Sequence, residues 1–323
     1  MLKVYGEDNL KTDSCQDSRG SSQVTARTGH SIRAVDSFTS RGESSSLVLT
    51  LTFNMTSQQE PYDVNFCFPV PEVLESERVL LTPFIVSSPL IMRPNFNTNS
   101  IQPLKHSEYF ISQAILSPDV FKFLPFGPFA TTEAFNVGLI ENRIQKDSGY
   151  IIFAIYDKTK PSTSNNEPGA FAGVIGLINT SVLNLATEIG CVVILPAFQR
   201  THVASNAVGI LLHYTLDLPS SPSPVISVKG PTNALGLRRI VWQAHHLNKG
   251  SIRLAERMGF KVEGVLRWDR VLPSPTVGNG RDVRDGDPRK ECVGRDTAML
   301  SLCWDDWEES AKEVVDRGIA RRE

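Results

Sequence analysis

The segment at 190–218, GCVVILPAFQRTHVASNAVGILLHYTLDL, constrains the chain more than any other. An apolar run of strand character, GCVVIL, breaks at Pro196, turns through Gln199, Arg200 and Thr201, and gives way to a helical pattern. Val203, Ala207, Ile210, Leu211, Tyr214 and Leu218 keep helical spacing, so one face of that helix packs on a sheet. A strand that turns into a helix start aims backbone N–H groups and the positive end of the helix dipole at one point. That is a ready site for a diphosphate.

The flanking sequence alternates in the same way. ERVLLTPF reads as a strand, SEYFISQAIL and TTEAFNVGLIENRI as helices, and YIIFAIYDK, AFAGVIGLINT and ATEIGCVVIL as three further strands. After the central helix come RRIVWQAH (strand), NKGSIRLAERMG (helix), and the strands FKVEGVLRWDRVL and RDTAMLSLCW. Two Pro-, Gly- and Ser-rich stretches, 218–236 and 273–294, read as mobile surface insertions, the second lengthening a hairpin between the last two strands. The expectation is one α/β (α+β) domain over 59–312, between a tail at 1–58 and a C-terminal tail at 313–323. The first tail carries only SLVLTLTF as a strand candidate. It is either a disordered extension or sequence upstream of a true start at Met55. WDDWEESAKEVVD reads as an acidic amphipathic helix with a solvated face.

With 33 basic against 35 acidic residues the net charge is −2, which argues against nucleic acid and against a polybasic membrane surface. Five cysteines with no C-x-x-C pair, and six histidines not clustered with them, indicate neither a disulfide framework nor a metal site. No apolar stretch approaches a membrane span and no secretory signal opens the chain, so a cytoplasmic location is expected. His245 and His246 fall on adjacent strand positions and should face opposite sides. Cys191 reads as a small core hydrophobe.

Three patterns, EIGCVVILPAFQRTHVASNA, LRRIVWQAHHLNKGSIRLAERMGFKVEGVLR and VGRDTAMLSLCWDDW, occur in this order, with FLPFGPFATTEAF upstream. Together they resemble the GNAT superfamily of acetyl-CoA-dependent N-acetyltransferases, in particular its RimJ/RimL-like branch, over roughly residues 60–310. The resemblance implies a GNAT fold, a mixed and mostly antiparallel sheet splayed at the cofactor cleft with helices on both faces. It implies acetyl-CoA as co-substrate and an amine acceptor. The N–H groups of Gln199, Arg200, Thr201, His202, Val203 and Ala204 would hold the pyrophosphate. His202 and Ala204 stand where the family's commonest turn has glycine, and the His202 side chain is expected to be a solvated turn residue.

The resemblance further assigns Asn248 to the pantetheine arm beside a helix N-cap role, Glu188 to a base acting through water, and Ser251 to the thiol end. Ser251 is the remaining candidate acid, because Leu300 stands where the branch often carries an aromatic. Backbone amides near Val193 and Leu195 would bind the oxyanion, and Phe126, Gly127 and Phe129 would line the acceptor side. A small-molecule amine is the expected acceptor. Acetylation of a protein N-terminus and a non-catalytic acyl-CoA-binding module are the alternatives.

Overall fold

The computed structural model describes residues 65–86, 106–162, 167–221, 223–274 and 276–322. All lie within the compact unit Gln59–Glu323. The expected tail at 1–58, the strand candidate SLVLTLTF and Met55 lie outside the described residues.

Nine strands form one sheet among the described residues, in the order β6-β1-β2-β3-β4-β5-β7-β9-β8. These are β1 Val73–Glu75, β2 Val79–Pro83, β3 Ile151–Asp157, β4 Ala170–Ser181, β5 Ala186–Ile194, β6 Ser227–Lys229, β7 Arg239–His245, β8 Lys261–Pro273 and β9 Cys292–Cys303. Strand β3, IIFAIYD, is buried at every position, as a strand covered on both faces must be. Helix α1 (His106–Ala114) packs on β4, and α2 (Thr132–Phe135) runs on into a wider π-type turn over Asn136–Ile144. Thr131 caps α2 by accepting the Ala134 N–H at 3.0 Å. Helix α3 (Val203–Leu216) crosses β2, β5 and β7, and α4 (Lys249–Arg257) follows β7. The mixed, mostly antiparallel architecture expected from the sequence is what folds.

The one parallel pair among the described strands, β5 with β7, is joined by the α3 crossover, and its register spans only three positions, Ala186↔Arg239 to Glu188↔Val241. Beyond Glu188 the two strands part. A bulge accompanies the parting: the β4–β5 register shifts between Val174 and Gly176, and Cys191 takes φ 51°. Gly173 makes this possible. A Cβ there would lie 2.1 Å from the Val193 carbonyl oxygen, so only glycine lets β4 follow the bulged strand.

Four expectations need correcting. The 313–323 tail is instead part of the fold: α5 (Trp304–Asp306), a π-type turn Trp307–Ala311 and α6 (Lys312–Ala320) bury Trp307, Ala311, Val315 and Ile319. Those four residues recur every fourth position and form an apolar file, packed where α3 offers Gly209, so the helix is not merely solvated. The 218–236 insertion contributes β6, which pairs with β1. The 273–294 insertion is fastened back on the sheet, with the Asn279 N–H donating to the Gly294 carbonyl at 2.7 Å. Finally, β7 ends at His245, so strand alternation ends there too, and the His245 and His246 rings stack at 5.1 Å rather than facing opposite sides.

Candidate functional site

Where β5 and β7 part, a cleft of ≈ 1000 Å³ opens, lined by both strands, the loop that leads into α3, and the start of α4. The loop begins with a single 3-10 turn, Pro196–Phe198, set by the proline. Gln199 then takes φ −69°, ψ 146° and Arg200 φ 61°, a type II pattern with a non-glycine in the left-handed position. Two internal bonds brace it: the Gln199 side-chain amide donates to the Ile194 carbonyl at 2.9 Å, and the Thr201 hydroxyl to the Phe198 carbonyl at 2.6 Å.

Of the six amides expected to hold a pyrophosphate, two are engaged internally. Gln199 N–H donates to the Pro196 carbonyl at 3.3 Å and Val203 N–H to the Thr201 hydroxyl at 3.3 Å. The amides of Arg200, Thr201, His202 and Ala204 have no partner among the described residues, and neither does that of Ser205, the next along. They sit at the start of α3, whose first backbone bond is Asn206 N–H to the His202 carbonyl. The side chains of Val203 and His202 turn away from the cleft: Val203 is core, and the His202 ring lies 3.2 Å from Asp157 Oδ1. His202 is therefore not a solvated residue. Asp157, buried at the end of β3, draws the ring inward, and burial lowers its pKa despite that carboxylate.

Glu188 stands at the last position at which β5 pairs with β7, where the cleft begins. It is 5% exposed, and its Oε2 accepts from Asn179 Nδ2 and Gln243 Nε2, both at 2.8 Å. Burial pushes its pKa up to about 7, against the pull of the Asn179 bond and of Arg270, Arg295 and Arg143. A carboxyl poised there exchanges a proton at neutral pH. Neither Asn179 nor Gln243 was singled out in the sequence. The available signal was a polar residue interrupting an apolar strand, in VIGLINT and in IVWQAH.

The bulge reassigns the free amides. Leu195 N–H donates to the Ala172 carbonyl at 2.9 Å, and Val193 stands opposite Val174 with the same parity, so both face β4 rather than the cleft. The residues whose backbone faces the gap are Val192 and Ile194. The expectation was therefore one residue out of phase.

Across the gap, Asn248 lines the cleft and caps α4 by accepting the Ser251 N–H at 3.1 Å, which leaves its side-chain NH2 without a partner among the described residues. Trp242 Nε1–H donates to Ser251 Oγ at 2.9 Å, so the serine oxygen is held while its own hydrogen remains to be given. Of the expected acceptor wall, Phe126 lines the cleft. Phe129 instead packs among Phe121, Phe126 and Phe135, and Gly127, φ 75°, lies over the Phe121 ring. Cys191 is buried, with its thiol pushed up to about 12 by that burial, and stays protonated. His245 accepts the Leu247 N–H on Nδ1 at 3.1 Å and donates from Nε2 to the Val277 carbonyl at 3.0 Å, so both ring nitrogens are occupied. Burial holds its pKa below the ordinary histidine value.

Residues 101–261 match the family model of the acetyltransferase (GNAT) domain. No curated protein matches the chain. Among solved structures it is similar to a GCN5-related N-acetyltransferase from Brucella melitensis, at 23% identity and TM-score 0.52, over 78% of this chain and 88% of that one. It is also similar to a probable acetyltransferase of the GNAT family from Chromobacterium violaceum, at 22% identity and TM-score 0.51, over 83% of this chain and 100% of that one. At such identities the likeness is one of fold.

Proposed function

We propose that this chain, whose residues 101–261 belong to the acetyltransferase (GNAT) family, transfers an acetyl group from acetyl-CoA to a small-molecule amine by direct attack. The observation that carries the proposal is Glu188: a carboxyl with pKa about 7 at the mouth of a gap between strands, within a cleft that also presents unpartnered helix-start amides.

The cleft's donors fit coenzyme A. The amides of Arg200, Thr201, His202, Ala204 and Ser205, with the α3 dipole behind them, suit the diphosphate, and the exposed Arg200 adds charge. Val192 and Ile194 suit the pantetheine arm and the thioester oxygen, as does Asn248 through its free NH2. Acetyl-CoA supplies the activated acyl carbon. Glu188, through an intervening water, takes one proton from the ammonium; the neutral nitrogen then bonds to that carbon, the C–S bond breaks, and the proton the nitrogen still carries passes to the departing thiolate. Ser251 gives a hydrogen bond to the departing sulfur while Trp242 holds its oxygen. A backbone donor at a developing oxyanion contributes roughly 100- to 1000-fold in rate.

The hairpin after β8 supports a small acceptor over a protein N-terminus. The Val277 N–H donates to the Lys122 carbonyl at 3.4 Å and its carbonyl accepts from His245, closing that side of the cleft. The order of the sequence patterns favours the RimJ/RimL-like branch. The unpaired cysteines among the described residues, Cys67, Cys191, Cys292 and Cys303, favour a reducing, cytoplasmic setting.

Calorimetry with acetyl-CoA, followed by thiol release across a panel of small amines and N-terminal peptides, tests the proposal. Binding with turnover of small amines is expected. Binding without turnover on either class would make the chain a non-catalytic acyl-CoA module, and peptide turnover alone would move the acceptor to protein. Asn248→Ala should cost about 1 kcal/mol of stability through the lost cap. The same variant should raise the KM for acetyl-CoA about tenfold if its NH2 also meets the pantetheine arm. A lower melting temperature with unchanged KM would leave Asn248 a cap alone.

A further inference from the structure

Beside Glu188 the cleft holds more positive charge than its own groups balance. Arg295 on β9 is 4% exposed and lines the cleft, and its side chain makes no hydrogen bond or ion pair among the described residues; its Nε is wholly enclosed and unpartnered. In the β8–β9 register it stands directly opposite Arg270. Like charges paired across a sheet repel, and an enclosed cation without a partner is disfavoured, so both terms work against this arrangement. Burial, and then Arg270, bring the Arg295 pKa down to about 10.

Arg270 is only partly matched. Its Nη2 donates to Gln243 Oε1 at 2.9 Å, while its Nε lies 3.2 Å from Asp269 Oδ2 without hydrogen-bond alignment. Asp269 Oδ2 also accepts the Thr297 hydroxyl at 2.7 Å. A third guanidinium, Arg143, lies over the rings of Phe126 and Tyr150, 6.0 and 5.9 Å from their centroids. Tyr150 donates to Asn179 at 2.6 Å and Asn179 to Glu188, so the hydrogen-bond chain from Tyr150 through Glu188 and Gln243 has Arg143 at one end and Arg270 at the other. Once Glu188 has taken a proton, Asp269 is the carboxylate left against Arg270 and Arg295, and Arg143 stands nearby. Diphosphate recognition does not account for them, because the amides suited to it lie on the loop before α3.

We propose that the acceptor amine carries a carboxylate, bound by Arg295 and Arg270 while Glu188 receives the proton from its nitrogen. This rests on the acetyl-transfer reading and narrows it to amino acids and their relatives, in preference to polyamines or plain alkylamines. Guanidinium forks suit a carboxylate in two-point contact.

The test is calorimetric titration of glutamate, β-alanine, their carboxamides and spermidine into the full chain saturated with coenzyme A. Carboxylate amines should bind about 100-fold more tightly than their amides. Arg295→Met should reduce that ratio to below about tenfold, and Arg295→Lys should restore part of it. In the free protein Arg295→Met should also raise the melting temperature, since it removes a repulsive pair, where a purely structural arginine would lower it. Should that variant misfold, Arg270→Gln reads the same ratio.

Amides or spermidine binding as tightly as carboxylates, or a ratio that survives in folded Arg295→Met, overturns the proposal. So does faster transfer from succinyl-CoA than from acetyl-CoA to plain amines, because the anion would then belong to the donor. Absence of coenzyme A binding brings down the acetyl-transfer reading together with this one, whereas tight coenzyme A binding with indifference to carboxylates removes this one alone.

Discussion

Glu188→Gln is expected to lower kcat/KM roughly 100- to 1000-fold at neutral pH and to remove the rise in kcat/KM that the parent shows as pH passes through about 7. The rise follows from the base form: Glu188 must be ionised to accept a proton, and burial has moved its titration from the ordinary glutamate range up to about 7. The same substitution should stabilise the protein. A carboxyl whose folded pKa lies above its unfolded value binds more protons folded than unfolded between the two. Stability is therefore full below about 4.5, falls as pH rises toward about 7, and stays low above it. The gap amounts to about 3 kcal/mol at alkaline pH, which glutamine recovers because its carbonyl can still accept from Asn179 and Gln243. Paired pH–rate profiles and urea unfolding near pH 8 measure both effects. A slower variant that is also less stable at that pH would mean Glu188 serves packing, and an unchanged rate would remove it from the reaction.

What the sequence made legible is local. The strand, proline, turn and helix of 190–218 are consecutive, so their hydrogen-bond grammar could be read directly, and the same holds for Asn248 three residues ahead of the Ser251 amide it caps. Glu188 was found through resemblance, although its raised pKa comes from burial under neighbouring strands, which its own segment does not show. Most of the errors are of one physical kind. Assigning the oxyanion amides to Val193 and Leu195 required knowing the strand's phase, and the bulge at Cys191 with the Gly173 contact that permits it leaves no periodic trace. His202 turns inward because Asp157, on a strand far back in sequence, lies beneath it. Arg295 lies unremarked inside the strand pattern RDTAMLSLCW, because only the register across the long hairpin sets it against Arg270. In the C-terminal segment the acidic residues outweighed an apolar file at every fourth position, and its buried face went unread.

That segment carries the largest expected stability effect. Asp217, at the C-terminal end of α3, is a buried carboxylate gathering donors from three directions: Trp307 Nε1 at 2.9 Å, Lys312 Nζ at 2.8 Å and His213 Nδ1 at 2.8 Å. The opposite His213 nitrogen lies 2.7 Å from Asp316 on α6, and the His213 ring meets Trp307 edge-on at 4.9 Å. Burial alone would raise the Asp217 pKa, but the bonds from His213, Lys312 and Trp307 outweigh it and hold it below the ordinary value. Asp217→Ala leaves an indole N–H, an ammonium and an imidazole without their acceptor. Breaking such a group by removing one member costs roughly 3–5 kcal/mol. For a domain of this size that is about 10 °C in Tm. Because the folded pKa is lowered, the contribution is present above the unfolded value of 3.8 and is lost as pH falls through the folded one. The parent and Asp217→Ala melting curves should therefore converge in strong acid and stand furthest apart near neutrality. Equal separation at every pH would mean that the loss is one of packing alone, and no separation anywhere would mean that α6 is held by its apolar file without help from the charge.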